Sequence, residues 1–168
     1  MNPEIRQNPV ASEPVRVAPL VVMSARDLIG TIVTGLVVGL VTLGTAIVLN
    51  RFVFSAVLCR TSTEGDCVNA PSYAIVVAVV LGVIVGTVAL ARLRVYRPII
   101  VVLASAITLW GIFGLLLGVS WYWALAISAV LHSIAYGMFA WVVRLRSFIL
   151  ALIITVVLVV GFRLLIQR

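Results

Sequence analysis

Leu28 to Leu49 is a run of 22 residues without a charged side chain, followed after Asn50 by Arg51. At ~1.5 Å per residue such a helix crosses a hydrocarbon core of ~30 Å, which predicts a first membrane span. Tyr73 to Ala91 predicts a second. Its many valines do not redirect it to a strand, because an isolated strand in lipid leaves its backbone groups unpaired. From Ile99 to Val143 there is no arginine, lysine, aspartate or glutamate over 45 residues. One helix of that length would reach about 67 Å, so the chain has to reverse. Gly118, Val119, Ser120 and Trp121 are the best place for the reversal, since glycine and serine loosen a helix and aromatic residues favour the interface. A third span near Ile99–Leu117 and a fourth near Tyr122–Val143 follow. A fifth tract, Phe148 to Phe162, is interrupted by Arg163 before Leu164, Leu165 and Ile166 continue it. A snorkelling arginine lets a short or tilted helix cross.

The predicted fold class is therefore all-α: a polytopic membrane bundle of five transmembrane helices with short loops. Residues 1–26, with Pro9, Pro14 and Pro19, read as a mobile cytoplasmic lead, residues 27–168 as the bundle, and about 50–72 as an outer loop. No signal-peptide pattern precedes the first span.

Composition reinforces the class. Apolar residues make up 64% of the chain and charged ones 10%, which excludes an ordinary soluble domain. The net charge of +7 comes from twelve arginines and no lysine against five acids. These arginines punctuate apolar helices and build no continuous basic face, so lipid phosphate is the expected anion and nucleic acid is not an expected partner. An amino terminus inside puts Arg6, Arg16, Arg26, Arg92, Arg94, Arg97, Arg144 and Arg146 in the cytoplasm and Arg51, Arg60, Arg163 and Arg168 outside, an eight-to-four bias. The expected location is a bacterial inner membrane with the carboxyl terminus outside.

Cys59 and Cys67 then fall on the oxidising side, separated by a polar segment containing Gly65. A structural disulfide is the expected state, with free thiols as the alternative; the spacing is neither a redox CxxC nor a zinc pattern. After Arg51, the apolar run Phe52, Phe54, Val57 and Leu58 reads as a stop-transfer edge and loop packing, with an interfacial helix as the alternative.

Small residues mark the close-packing faces. Ala74, Ala78, Gly82 and Gly86 repeat every four positions; Gly35 and Gly39 do so on the first span, and Gly114 and Gly118 on the third. Such stripes serve packing within the chain or against another membrane protein or second copy.

The one histidine lies in the fourth span. Ser128, His132 and Tyr136 share a helix face, and lipid would penalise them, so the face is expected to turn toward Thr42, Thr45, Thr87, Thr108 or a backbone carbonyl. Neutral helix packing is the preferred role; a proton or ligand role is the alternative. No intramembrane carboxylate orients the imidazole, no second histidine completes a metal site, and no glycine-rich phosphate loop is present, so catalytic residues, metals and cofactors are not expected. The function expected from these features is a non-catalytic accessory or assembly-stabilising subunit of an inner-membrane complex, with a small transporter or lipid-translocating protein as the alternative and an embedded enzyme ranked behind both.

Overall fold

The computed structural model describes residues 24–61, 64–116, 118–145 and 147–166. The amino-terminal lead before residue 24, Arg146 and Arg168 lie outside the described residues. The elements are helices throughout: α1 (Ala25–Val48), a π-helical segment (Leu49–Phe54), α2 (Ser55–Thr61), α3 (Glu64–Arg92), α4 (Pro98–Leu109), α5 (Ile112–Leu116), α6 (Trp121–Val142) and α7 (Phe148–Ile166). Three helical stretches are long and apolar enough to cross a membrane: Ala25–Arg60, Cys67–Arg92 and Trp121–Val142. Pro98–Leu109 and Phe148–Phe162 are shorter apolar helices.

Local chemistry explains where the helices begin. Ser24 Oγ accepts from the Asp27 N–H at 3.1 Å, and an Asp27 carboxylate oxygen accepts from the Ser24 N–H at 3.3 Å, a reciprocal cap on α1. Pro98 opens α4 at a position where its missing N–H costs nothing. Ser120 precedes α6, so the reversal predicted at Gly118–Trp121 is where the chain turns.

Two expectations change. The third predicted span is not one helix: α4 ends at Leu109, the chain turns at Trp110 and Gly111, and α5 resumes at Ile112. Residues 50–72, expected as an outer loop, are helical wherever described, because polarity ends a membrane span without ending a helix. Within them the Ser55 N–H bonds to the Asn50 carbonyl, five residues back, so one extra residue is accommodated in the turn. Phe52, inside this segment, and Val57, just after it, are exposed.

Helices α1, α3, α4 and α6 form a closed ring of neighbours, with α7 packed outside against α4 and α6. Gly35 faces Ser133 and Tyr136 while Gly39 faces Ser128 and Ala129, so α1 and α6 run antiparallel. Two apolar clusters fill the ring. Val101, Val102, Tyr136 and Phe139 belong to one, toward the Arg92 end; Leu43, Ala78, Phe113 and Ala124 belong to the other, toward the Cys59 end. Much of the outer surface is aliphatic and exposed, including Ile29, Val80, Val130 and Val157, as expected of a bundle solvated by lipid.

Candidate functional site

The polar residues of the bundle divide into two groups. In the larger, each hydroxyl is consumed by its own helix. Thr31 donates to the Asp27 carbonyl, Thr34 to Gly30, Thr87 to Val83, Ser105 to Val101, Thr108 to Ala104 and Thr155 to Ala151, all at 2.7–2.8 Å. A hydroxyl four residues past a helical carbonyl satisfies itself there and needs no partner helix. Thr87 and Thr108, expected as partners of the histidine face, belong to this group.

The second group lies between the two apolar clusters, where α1, α3 and α6 converge. Ser128 Oγ donates to the Gly39 carbonyl of α1 at 3.1 Å, the kind of backbone acceptor on another helix that the sequence pattern requires. His132 Nδ1 lies 2.8 Å from the Ser128 carbonyl of its own helix. A carbonyl only accepts, so this contact assigns the ring proton of the neutral imidazole to Nδ1 and leaves Nε2 as the acceptor. The Phe113 ring lies 6.0 Å from the imidazole, centroid to centroid. Thr42 Oγ1 and Ser133 Oγ are buried without a hydrogen-bond partner.

The small-residue stripes explain how these groups come together. A Cβ on Gly39 would stand 2.7 Å from the Ser128 carbonyl oxygen and 2.9 Å from Ala129 Cα; one on Gly35 would stand 2.7 Å from the His132 carbonyl oxygen. Glycine is therefore what lets the backbone of α1 lie on the backbone of α6. On α3, Gly82 leaves room for the Thr42 hydroxyl and Gly86 for the Tyr136 hydroxyl, while Ala74 and Ala78 are fully buried. The expected polar face and two of the three expected packing stripes are thus parts of one junction. Gly114 and Gly118 are not: a Cβ at Gly114 meets nothing within 4 Å, and one at Gly118 meets only the Leu115 carbonyl at 3.8 Å.

What remains open at the junction is small. A cavity of about 10 Å³ is lined by Thr42, Gly82, Val102, Phe113, His132 and Tyr136 among others, room for the centre of about one water. Sequence spacing gives no role to Phe113; its one signal is its position in the third apolar tract, two residues after Gly111. Among the described residues no group of three or more His, Cys, Asp or Glu side chains gathers as a metal site.

Ser128→Ala is expected to lower stability by about 0.6–1.5 kcal/mol, since it removes the inter-helix bond and strands the Gly39 carbonyl. Thr108→Ala, which breaks only a bond within α4, is the comparison and should cost less. Reversible unfolding in mixed micelles measures both.

At the other end of the molecule, Cys59 and Cys67 form a disulfide with Cα atoms 4.7 Å apart. It joins α2 to the start of α3, and the Phe54 and Tyr73 rings meet at 6.2 Å below it. Phe52, Val57 and Val68 are 70%, 56% and 78% exposed around this hairpin. The chain matches no protein-family model, no curated protein and no solved structure.

Proposed function

We propose that this protein is a non-catalytic accessory or assembly-stabilising subunit of a bacterial inner-membrane complex, crossing the bilayer five times with its Arg92 end in the cytoplasm. The 19 residues of α7 extend about 28 Å, close to the hydrocarbon thickness, and α4 with α5 continues one uncharged tract across a turn, which supports adding both to the three longer spans. Among the described residues Arg26, Arg92, Arg94, Arg97 and Arg144 gather at one end, against Arg51, Arg60 and Arg163 at the other. That asymmetry supports the orientation, and a disulfide at the arginine-poor end suits an oxidising exterior.

The observation that carries the reading is the disulfide-closed helical hairpin. The stretch Ala25–Arg60 contains 36 residues and would be about 54 Å long, well beyond the hydrocarbon thickness. With Asp27 near one surface, the excess lies at the disulfide end and lifts Phe52, Val57 and Val68 out of the core of the bilayer. A stiff, cross-linked projection with apolar side chains on its outside is suited to gripping a partner subunit. The transporter reading has less support, because the Ser128, His132 and Tyr136 face is occupied by the glycine backbone of α1 and the two small spaces beside it each admit about one water.

Mild extraction followed by intact-complex mass measurement tests the proposal. The chain is expected in fixed stoichiometry with an integral membrane partner, and Phe52→Asp with Val57→Asp is expected to release that partner while the disulfide persists. A monomer that moves solutes in proteoliposomes, and loses that activity in His132→Ala, would reject the proposal in favour of transport.

A further inference from the structure

We infer that the arginine-rich end carries a specific site for one anionic phospholipid, its phosphate held at Arg97 and an acyl chain lying in the groove between α4 and α7. This goes beyond the accessory-subunit reading and does not depend on it.

The groove has a volume of about 230 Å³ and aliphatic walls, Ile100, Leu103 and Ile107 on α4 facing Leu152, Val156 and Val160 on α7. The hydroxyl of Thr155, its polar lining residue, is already committed to the Ala151 carbonyl at 2.8 Å, so nothing in the groove asks for water or a polar ligand. Its reach decides between occupants. Ile100 to Ile107 and Leu152 to Val160 each cover only about 10–12 Å along a helix, less than the ~15 Å depth of one leaflet. A partner helix would need a seam running the full ~30 Å; a groove of this length takes the upper part of one acyl chain within its leaflet.

The charge stands one helical turn beyond the groove on both walls. Arg97 precedes Ile100 by three residues, and Phe148 precedes Leu152 by four. The Arg97 guanidinium lies 4.5 Å from the Tyr96 ring centroid and 4.8 Å from that of Phe148, so it bridges the starts of the two helices that form the groove. Nη2 donates to the Tyr96 hydroxyl at 3.0 Å, whereas Nη1 is buried without an acceptor in the protein, so a phosphate oxygen reaches it only once the side chain turns toward the headgroups. Rings against a guanidinium face leave its donors in the guanidinium plane, where a phosphate oxygen accepts most strongly. No carboxylate competes: Asp27 is the one acid at this end among the described residues, and it is spent on the α1 cap. Arg97 also holds a left-handed backbone conformation, φ 55°, unusual for a residue with a side chain. Arg94, three residues earlier in the chain, adds positive charge at this end.

The test is native mass spectrometry of the purified full chain in detergent, titrated separately with phosphatidylglycerol and with phosphatidylcholine of the same acyl chains. One phosphatidylglycerol is expected to bind about tenfold more tightly than phosphatidylcholine. Arg97→Gln is expected to weaken phosphatidylglycerol about fivefold and phosphatidylcholine, which has the same phosphate but an offsetting choline charge, by less, while Arg92→Gln changes either less than twofold. Val156→Trp, which fills the groove from a surface position, should lower binding of both lipids with the thermal melt preserved, and it carries the test if Arg97→Gln does not fold. Equal binding of the two lipids, equal effects of Arg92→Gln and Arg97→Gln, or no effect of Val156→Trp would each overturn the inference. So would a doubled mass that excludes lipid, because the groove would then hold a second copy of the chain.

Discussion

Gly39→Leu is expected to unfold the bundle or destabilise it by about 3 kcal/mol or more, a larger loss than removing any one hydrogen bond of the junction. The added side chain has no soft neighbour to displace: at the Cβ position it already stands 2.7 Å from a carbonyl oxygen and 2.9 Å from a Cα, both on the backbone of α6. Relief requires moving α6 as a whole, which would break the Ser128 bond to Gly39 and open the space around His132. Gly114→Leu is the matched control, because nothing stands within 4 Å of its Cβ position, and a change of less than about 1 kcal/mol is expected. Unfolding of both variants in mixed micelles checks the contrast, and similar losses would remove the assigned α1–α6 contact.

The second large effect is expected at the disulfide. Cys59→Ser should weaken the hairpin by about 2–3 kcal/mol, the loop-closure value for a ring spanning a sequence separation of 8. The loss should stay local, since the cross-link lies beyond the Phe54–Tyr73 contact and far from the Ser128–Gly39 bond. Hydrogen exchange is therefore expected to rise over residues 51–69 and to hold steady around Val38 and Ser128; reductant should reproduce the change in the wild type. Accelerated exchange through the whole of α1 would show instead that the hairpin and the bundle open together.

Much of this arrangement is legible in the residues themselves. Uncharged length marks where helices run, and spacing by four puts Ser128, His132 and Tyr136 on one face and Gly35 and Gly39 on another. That these two faces meet is not legible, because a small-residue stripe permits close approach without naming the neighbour. Gly114 and Gly118 carry the same spacing as Gly35 and Gly39, yet find no helix to approach. Hydroxyl residues mislead in a related way: Thr87 and Thr108 look available for an inter-helix bond, but a carbonyl four residues back lies closer than any other helix can come. The helical character of residues 50–61 and 64–72 is hidden because charge and polarity report the end of lipid, and a helix in water can continue past it. The aromatic contacts of Arg97 join residues separated by three helices, so no local pattern announces Phe148 as its neighbour.

The central contact also fixes an order of events in synthesis. The Gly39 carbonyl and the Ser128 hydroxyl that bonds to it are 89 positions apart. At about 5–20 residues per second a ribosome needs on the order of ten seconds to bridge that interval. For that time the first helix sits in the bilayer with its glycine groove unfilled, and the nascent third helix is the companion available to shield it. Truncations that end before Trp121–Val142 lack the helix that fills this groove and are expected to be degraded faster than the full chain in a pulse-chase measurement.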